Sequence, residues 1–424
     1  MGKIKRNSLI LLAKEGLLNL SAIFVVGYMA KQLGAEDYGK FTYSISFAVL
    51  FSIISNLGIR QYATREIIRN KDKAASIQGR VLFTRFVLTL IMFFAGVLTS
   101  LFLGHDWVIF TLVVIALSSK IFFTFTTNNY IIFESHEDLH YNALTQTIGR
   151  VVVIVFTLGA LFSGFGLYAV ALIYLLGDVV QYAVSLLILR KNYFKPKMRV
   201  SKKAGIGLLK HSVPFALFGI FYLIYFEISK IMLFQIDSVR EVGVYQAASI
   251  LAYKFLIVSD SVGTAIFPKI IEFGKTNHTE YKKLTYKAIM LMFGIGFVSA
   301  LGLFIFSDFI INIIYRSKDY TGSIIVLQNI AWVLPLLFLS KILSFMLISK
   351  DRQNLLAGIY GIMVITLIVG NWFLIPTYHA LGAAWAMIIS ESVGVISFVF
   401  FYKALGLKGQ KVRQPIIPTE SKAV

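Results

Sequence analysis

Two lysines stand where hydrocarbon is expected. Lys254 lies inside "SILAYKFLIVSDSVGTAIFPK" (residues 249–269) and Lys120 inside an apolar run over 107–132, each near mid-span with no acid three or four positions away on its own helix. A charge at the middle of a membrane helix costs roughly 2.5–3.5 kcal/mol on insertion scales, so it faces protein or water and is functional by default. Two chemistries are open to these lysines. One is an interhelical ion pair with Asp178 or Glu391; the other is a hydrated cavity in which the ammonium binds an anion as a point charge. Asp260, six positions after Lys254, is about 240° round the helix and is a poor intrahelical partner.

The remaining intramembrane charges sort by spacing and depth. Glu227 and Lys230 are at i, i+3 on one face, as a local ion pair requires. Lys14 and Glu15 are adjacent and point about 100° apart. Arg150 and Lys341 are close enough to helix ends to snorkel. Arg65 belongs to the basic run after the second apolar stretch, and Gln146, Gln181, Tyr225, Gln246, Asn329 and Asn371 add polar atoms inside other spans. "FFTFTTNNY" (122–130) sets Thr126, Asn129 and Tyr130 at helical spacing, either as cavity lining or as the polar contacts that hold membrane helices together. The candidates for contacting an anionic or sugar substrate are therefore Lys254, Lys120, Lys14, Arg65, Arg150, Lys230, Asn129 and Gln246. The candidates for ion pairing or for proton or sodium coupling are Asp178, Glu227, Asp260, Glu391 and Glu15.

The elements that must position these groups are membrane helices. The 424-residue chain is 57% hydrophobic and 15% charged, against roughly 25% charged residues in soluble domains, and its mean hydropathy is +0.76. A crossing takes about 20 apolar residues, and the pattern predicts about twelve: 8–33, 38–59, 81–104, 107–132, 141–163, 166–190, 208–236, 242–268, 285–307, 320–348, 353–376 and 380–403. The first run is too long for a signal-peptide core and contains Lys14 and Glu15, so it is read as a retained helix. Pro214 is expected to open the seventh helix, Pro335 to kink the tenth, and Pro268 and Pro376 to close theirs.

The net charge of +20 does not indicate nucleic acid. Most Lys and Arg fall in alternate loops such as "RQYATREIIRNKDKAASIQGR" and "RKNYFKPKMRVSKK", whereas Lys31, Lys40, Arg240, Arg316 and Lys318 are on the other side. That bias orients helices with the basic loops and both termini in the cytoplasm; "ESHEDLH" (134–140) is the acidic exception. Cysteine is absent, which excludes thiol chemistry. No P-loop, HExxH, GxSxG or metal-spaced aspartate pair occurs, the histidines are scattered, and the loops are short, so neither a catalytic centre nor a metal or cofactor site is expected.

The chain repeats itself weakly. "DYGKFTYSISF" (37–47) aligns with "EVGVYQAASIL" (241–251) at an offset of 204, which places Gly39 on Gly243 and Arg65 on Lys269, and "GLYAVALI" from Gly166 echoes "GAAWAMII" from Gly382. Six spans per half give both copies the same orientation and a pseudo-two-fold axis along the membrane normal. The expectation is an all-α polytopic protein with an N-terminal six-helix lobe (1–200) and a C-terminal six-helix lobe (201–424), V-shaped around a central cavity.

"AKQLGAEDYGKFTYSISFAVLFSIISNLGIRQYATREI" and "HSVPFALFGIFYLIYFEISKIMLFQIDSVREVGVYQAAS" resemble the polysaccharide transporter family of the multidrug/oligosaccharidyl-lipid/polysaccharide superfamily. The first has that family's LG-x-x-x-YG turn (Leu33, Gly34, Tyr38, Gly39) and its LG end (Leu57, Gly58); the second has the VG-x-Y entry (Val242, Gly243, Tyr245). The resemblance implies a flippase for undecaprenyl-diphosphate-linked oligosaccharides such as O-antigen or capsule repeat units. It further implies an inner-membrane location, alternating access, and a polymerase and chain-length regulator of the same pathway as partners. Ser229 stands where the family often has an aspartate, which bears on ion coupling. A multidrug or cation antiporter and a lipid II flippase are the alternatives; the antiporter calls for acids in the cavity, and the lipid II flippase for two further helices.

Overall fold

The computed structural model describes residues 2–198, 202–350 and 352–404, and the side chains of the first helix from Ile23 onward. The described regular elements are helical. They are α1 (Gly2–Asn56), α2 (Ile59–Arg69), α3 (Ala74–Phe102), α4 (Trp107–Ser135), α5 (Leu139–Phe162), α6 (Leu167–Asn192), α7 (Lys202–Ile236), α8 (Val239–Tyr253), α9 (Leu256–Thr276), α10 (His278–Tyr315), α11 (Thr321–Ile330), α12 (Val333–Ile348) and α13 (Gln353–Ala404).

At 1.5 Å per residue the 55 residues of α1 and the 52 of α13 would each run about 80 Å, more than twice the ~30 Å hydrocarbon layer. Each is broken by a single residue at positive φ: Gly34 (φ 75°, ψ 170°) and His379 (φ 54°, ψ −134°). Gly34 is the glycine of the LG-x-x-x-YG turn, and a positive φ carries no steric penalty there. Among the described residues nine helices are long and apolar enough to cross a membrane, or ten with α11 and α12 taken as one bent span. Two crossings each for α1 and α13 bring these to the expected twelve.

Prolines depart from expectation at two places, Pro214 and Pro268, and not at Pro335 or Pro376. The α11–α12 pair bends by 46° just before Pro335, where a missing N–H cannot bond the preceding turn. Pro268 does not close its helix, since α9 continues to Thr276, whereas Pro376 stands one turn before the break at His379, where its span ends. The seventh helix begins at Lys202, ahead of Pro214. The predicted span 242–268 is one crossing, Val239–Gly274, made of α8 and α9 in line. The two join at Lys254 and Phe255, where Phe255 N–H bonds the Ala252 carbonyl and Val258 N–H the Phe255 carbonyl in i→i+3 fashion, which tightens the turn.

Helices α1–α6 pack on one another, chiefly α4 on α6, α1 and α3, with α5 on α6; α7–α13 form a second set, chiefly α7 on α13, α10 on α12 and α8 on α11. The boundary expected at residue 200 lies outside the described residues. The two sets meet along α1 and α8, and where α7 runs beside α1 and α2. On the face opposite the basic loops, Gly39 of α1 and Gly243 of α8 come into backbone contact. Tyr43 stacks on Phe234 with ring centroids 3.8 Å apart, and the Tyr320 hydroxyl donates to the Ala30 carbonyl at 2.8 Å. These contacts close that face.

Candidate functional site

A cavity of about 420 Å³ lies between the helix sets, walled by α1, α4, α5 and α6 and reached from the second set by Lys254. Its charged lining is Lys120, Arg150, Lys254 and Asp178. Lys254 is the C-cap residue of α8 and keeps helical backbone angles, so it reaches the cavity from the side of a continuous span. Among the described residues, none of these three cations makes a salt bridge. Lys120 Nζ stands 5.5 Å above the Phe123 ring, and the Asp178 carboxylate accepts a hydrogen bond from Ser119. The cavity therefore holds three cations against one carboxylate in a low-dielectric wall, where fixed charge acts strongly on an anion.

Lys254 also borders a second cavity of about 330 Å³, with Glu227, Lys230, Gln246 and Tyr253. There Lys230 Nζ lies 2.6 Å from Glu227 Oε2, so the i, i+3 pair read from the sequence forms. Asp260 pairs across helices with Lys341 at 2.5 Å. Glu391 is fully buried in the second helix set and accepts from the Tyr225 hydroxyl at 2.5 Å, while its other oxygen has no partner. The interhelical ion pair envisaged for Lys254 and Lys120, with Asp178 or Glu391, is not formed.

Two of the described sequence candidates, Asn129 and Arg65, lie away from the cavities. Asn129 is buried and donates to Ser185 at 2.9 Å, joining α4 to α6. Tyr130 beside it accepts from Gln181 at 2.8 Å and contacts Thr145 at 2.6 Å, so this polar stretch is used mainly in helix packing. Arg65 is exposed on α2. Lys14 and Glu15 lie outside the residues whose side chains are described. Ser229 is buried and accepts from Asn371 at 3.0 Å, a neutral contact. The acidic "ESHEDLH" loop is also accounted for, because Glu134 is engaged by Arg60 and by Asn142.

The sequence reading passed over Arg85. It sits one turn into the expected third span, where a cation usually snorkels, but α3 starts earlier at Ala74 and leaves Arg85 fully buried. Its signal was the run of threonines on α4: its guanidinium donates to the Thr124 carbonyl at 3.2 Å and the Thr127 hydroxyl at 3.1 Å.

Residues 4–274 match the model of a family described as polysaccharide biosynthesis protein. The chain is similar to the capsular polysaccharide biosynthesis protein CapF of Staphylococcus aureus, 22% identical over 91% of this chain and 96% of the relative. It is also similar to a probable low-salt glycan biosynthesis flippase, Agl15, of Haloferax volcanii, 23% identical over 88% of this chain and 77% of the relative. Among solved structures, the fold is that of the lipid II flippase MurJ in an inward closed conformation, with TM-score 0.74 and 18% identity over 91% of this chain and 87% of that one. An inward-facing multidrug MATE transporter shares it equally, with TM-score 0.75 and 15% identity over 92% and 95%.

Proposed function

The chain belongs to the polysaccharide biosynthesis protein family, and on that premise we propose that it is a flippase for oligosaccharides carried on a polyprenyl diphosphate. The observation that carries this reading is the cavity in which Lys120, Arg150 and Lys254 face a single carboxylate, Asp178. A diphosphate is compact and strongly anionic, and an excess of cations over carboxylates within a membrane protein favours it over a cationic drug. The names borne by the glycan flippase relative and by MurJ support the same direction. The shared MATE fold supports a transporter but not a cationic substrate, for which the cavity has the wrong balance of charge.

The proposed cycle is alternating access, with the basic face cytoplasmic and both termini on that side. The second helix set contributes Lys254 to a cavity otherwise built by the first. Separation of the two sets at the opposite face withdraws that charge, so opening and release of the diphosphate are coupled through one residue. The lipid tail stays in the bilayer. Of the acids considered for ion coupling, Glu227 and Asp260 are held in ion pairs; Asp178 and Glu391 are the groups proposed for it. A polymerase and a chain-length regulator acting on the exported unit are the proposed partners.

Purified protein in vesicles, supplied with a polyprenyl-diphosphate oligosaccharide, should make that lipid accessible to a glycosidase on the opposite leaflet. In cells, deletion should leave lipid-linked units on the cytoplasmic leaflet and reduce surface polysaccharide. Unchanged polysaccharide and no accumulation would sink the reading.

A further inference from the structure

Toward the basic face, a separate cavity of about 250 Å³ opens between the helix sets. Its wall from the first set includes Asn56, Arg60, Gln61, Arg85 and Thr127, and its wall from the second is α7 between Ala216 and Leu223.

Arg85 is the fixed charge of this pocket. It is fully buried, and its acceptors are neutral: the Thr124 carbonyl, the Thr127 hydroxyl and, at 3.5 Å, the Asn56 amide oxygen. Among the described residues its Nε has no partner and no carboxylate lines the pocket, and Glu134 is already engaged by Arg60. A buried guanidinium held by neutral acceptors and with a free donor is a site for an anion.

The start of α2 makes the same demand independently. Its N-cap, Gly58, is left-handed (φ 70°, ψ 6°) and has no side chain to cap the first N–H groups. Those donors need partners, and the partial positive charge of a helix N-terminus favours an anion. Gly58, Arg60 and Gln61 all line the pocket.

Phe123 lines both this pocket and the central cavity, and Lys120 stands over its ring. The two cationic chambers thus share one aromatic side chain.

We propose that the pocket at Arg85 and the first turn of α2 is a second anion subsite, which takes a phosphate or diphosphate group before it passes Phe123 to Lys120 and Lys254. Its place on a transport path rests on the flippase reading; anion binding at the pocket does not.

The absence of cysteine allows a single introduced thiol to report each chamber. Ile220→Cys reports the Arg85 pocket and Val153→Cys the central cavity, read as the rate of alkylation of the full-length protein with inorganic pyrophosphate or farnesyl diphosphate added. Pyrophosphate is expected to slow alkylation at Ile220→Cys even in a Lys254→Met background. Arg85→Gln should weaken that protection about tenfold, the scale of one lost charged hydrogen bond. Protection by both compounds identifies a site for the phosphate group itself, and protection by farnesyl diphosphate alone identifies the lipid headgroup as its source. If Arg85→Gln misfolds, Gly219→Leu serves instead: a Cβ there meets nothing within 4 Å, so the leucine fills the pocket and leaves Arg85 in place. Gly219→Leu should abolish the pyrophosphate-induced rise in melting temperature of the Lys254→Met protein. Protection that persists in Arg85→Gln, or that disappears with Lys254→Met alone, overturns the subsite. Protection at Ile220→Cys with none at Val153→Cys in any background leaves the subsite standing and removes the flippase reading.

Discussion

Gly39 and Gly243 touch reciprocally: a Cβ on Gly39 would lie 1.9 Å from the Val239 carbonyl oxygen, and one on Gly243 would lie 2.0 Å from the Ala35 carbonyl oxygen. The offset that aligns Gly39 with Gly243 also aligns Ala35 with Val239. An equivalent contact from both sides is what a two-fold axis through the crossing produces. The opposing atoms are backbone, so no rotamer change relieves the clash that a methyl group would create. Gly39→Ala and Gly243→Ala are therefore expected to loosen the face opposite the basic loops. A cysteine at Ser44, which lines the central cavity, should be alkylated from that face several-fold faster in either variant; unchanged rates would show that the contact does not close the cavity.

The repeat, the crossings and the cavity lysines were legible because each follows from spacing and hydropathy. Lys254 and Lys120 lacked acids on their own helices, and no ion pair formed between helices either. The tightened turn at Lys254 and Phe255 was not legible, since "YKFLIV" is uniformly apolar and helix-forming apart from the lysine. Asn129 was misplaced for a related reason: on a helix buried on several sides, spacing does not say which face meets a cavity and which meets Ser185. Arg85 escaped because its depth depends on where α3 begins, and helix boundaries are the weakest part of a hydropathy reading.

Lys254→Met removes the charge that the second helix set adds to the central cavity. Loss of one charged hydrogen bond to a diphosphate is worth about 1.5–3 kcal/mol, so translocation in vesicles should fall at least about tenfold. Lys254→Arg keeps the charge in a different geometry and should retain part of the activity. The melting temperature should not drop, because among the described residues the ammonium makes no salt bridge. Full translocation by Lys254→Met would mean that Lys254 carries no substrate.

Asp260 and Lys341, 2.5 Å apart, should behave as a structural pair. Both side chains are partly exposed, so loss of either partner forfeits the modest coupling of such a pair, and loss of the second adds little. Asp260→Asn and Lys341→Met should each lower the melting temperature in lipid, and the double variant should lose little more than either, with a coupling of at most about 1 kcal/mol. Additive losses would show that the two side chains act separately.

His105 makes the closed face sensitive to pH. It lies between α3 and α4, with Nε2 2.9 Å from the Tyr43 hydroxyl and Nδ1 2.8 Å from Ser100 Oγ, and its ring meets Phe234 edge-on at 5.6 Å. Through Tyr43 and Phe234 it belongs to the contact between the helix sets, and Gln235 also donates to Tyr43 at 3.4 Å. Burial lowers the His105 pKa from the usual 6.5, with the neighbouring Asp106 opposing the shift. The closed form thus binds the proton less readily than an open form in which the ring is hydrated. Its extra stability is complete above the ordinary histidine pKa and is lost as pH falls through that value toward the lowered one. Acidification from about pH 7.5 to about 5.5 should accordingly speed alkylation of the Ser44→Cys reporter from that face, and His105→Gln, which keeps a hydrogen-bonding side chain but cannot be protonated, should remove the pH dependence. An equal acceleration in both proteins would assign the effect to another group.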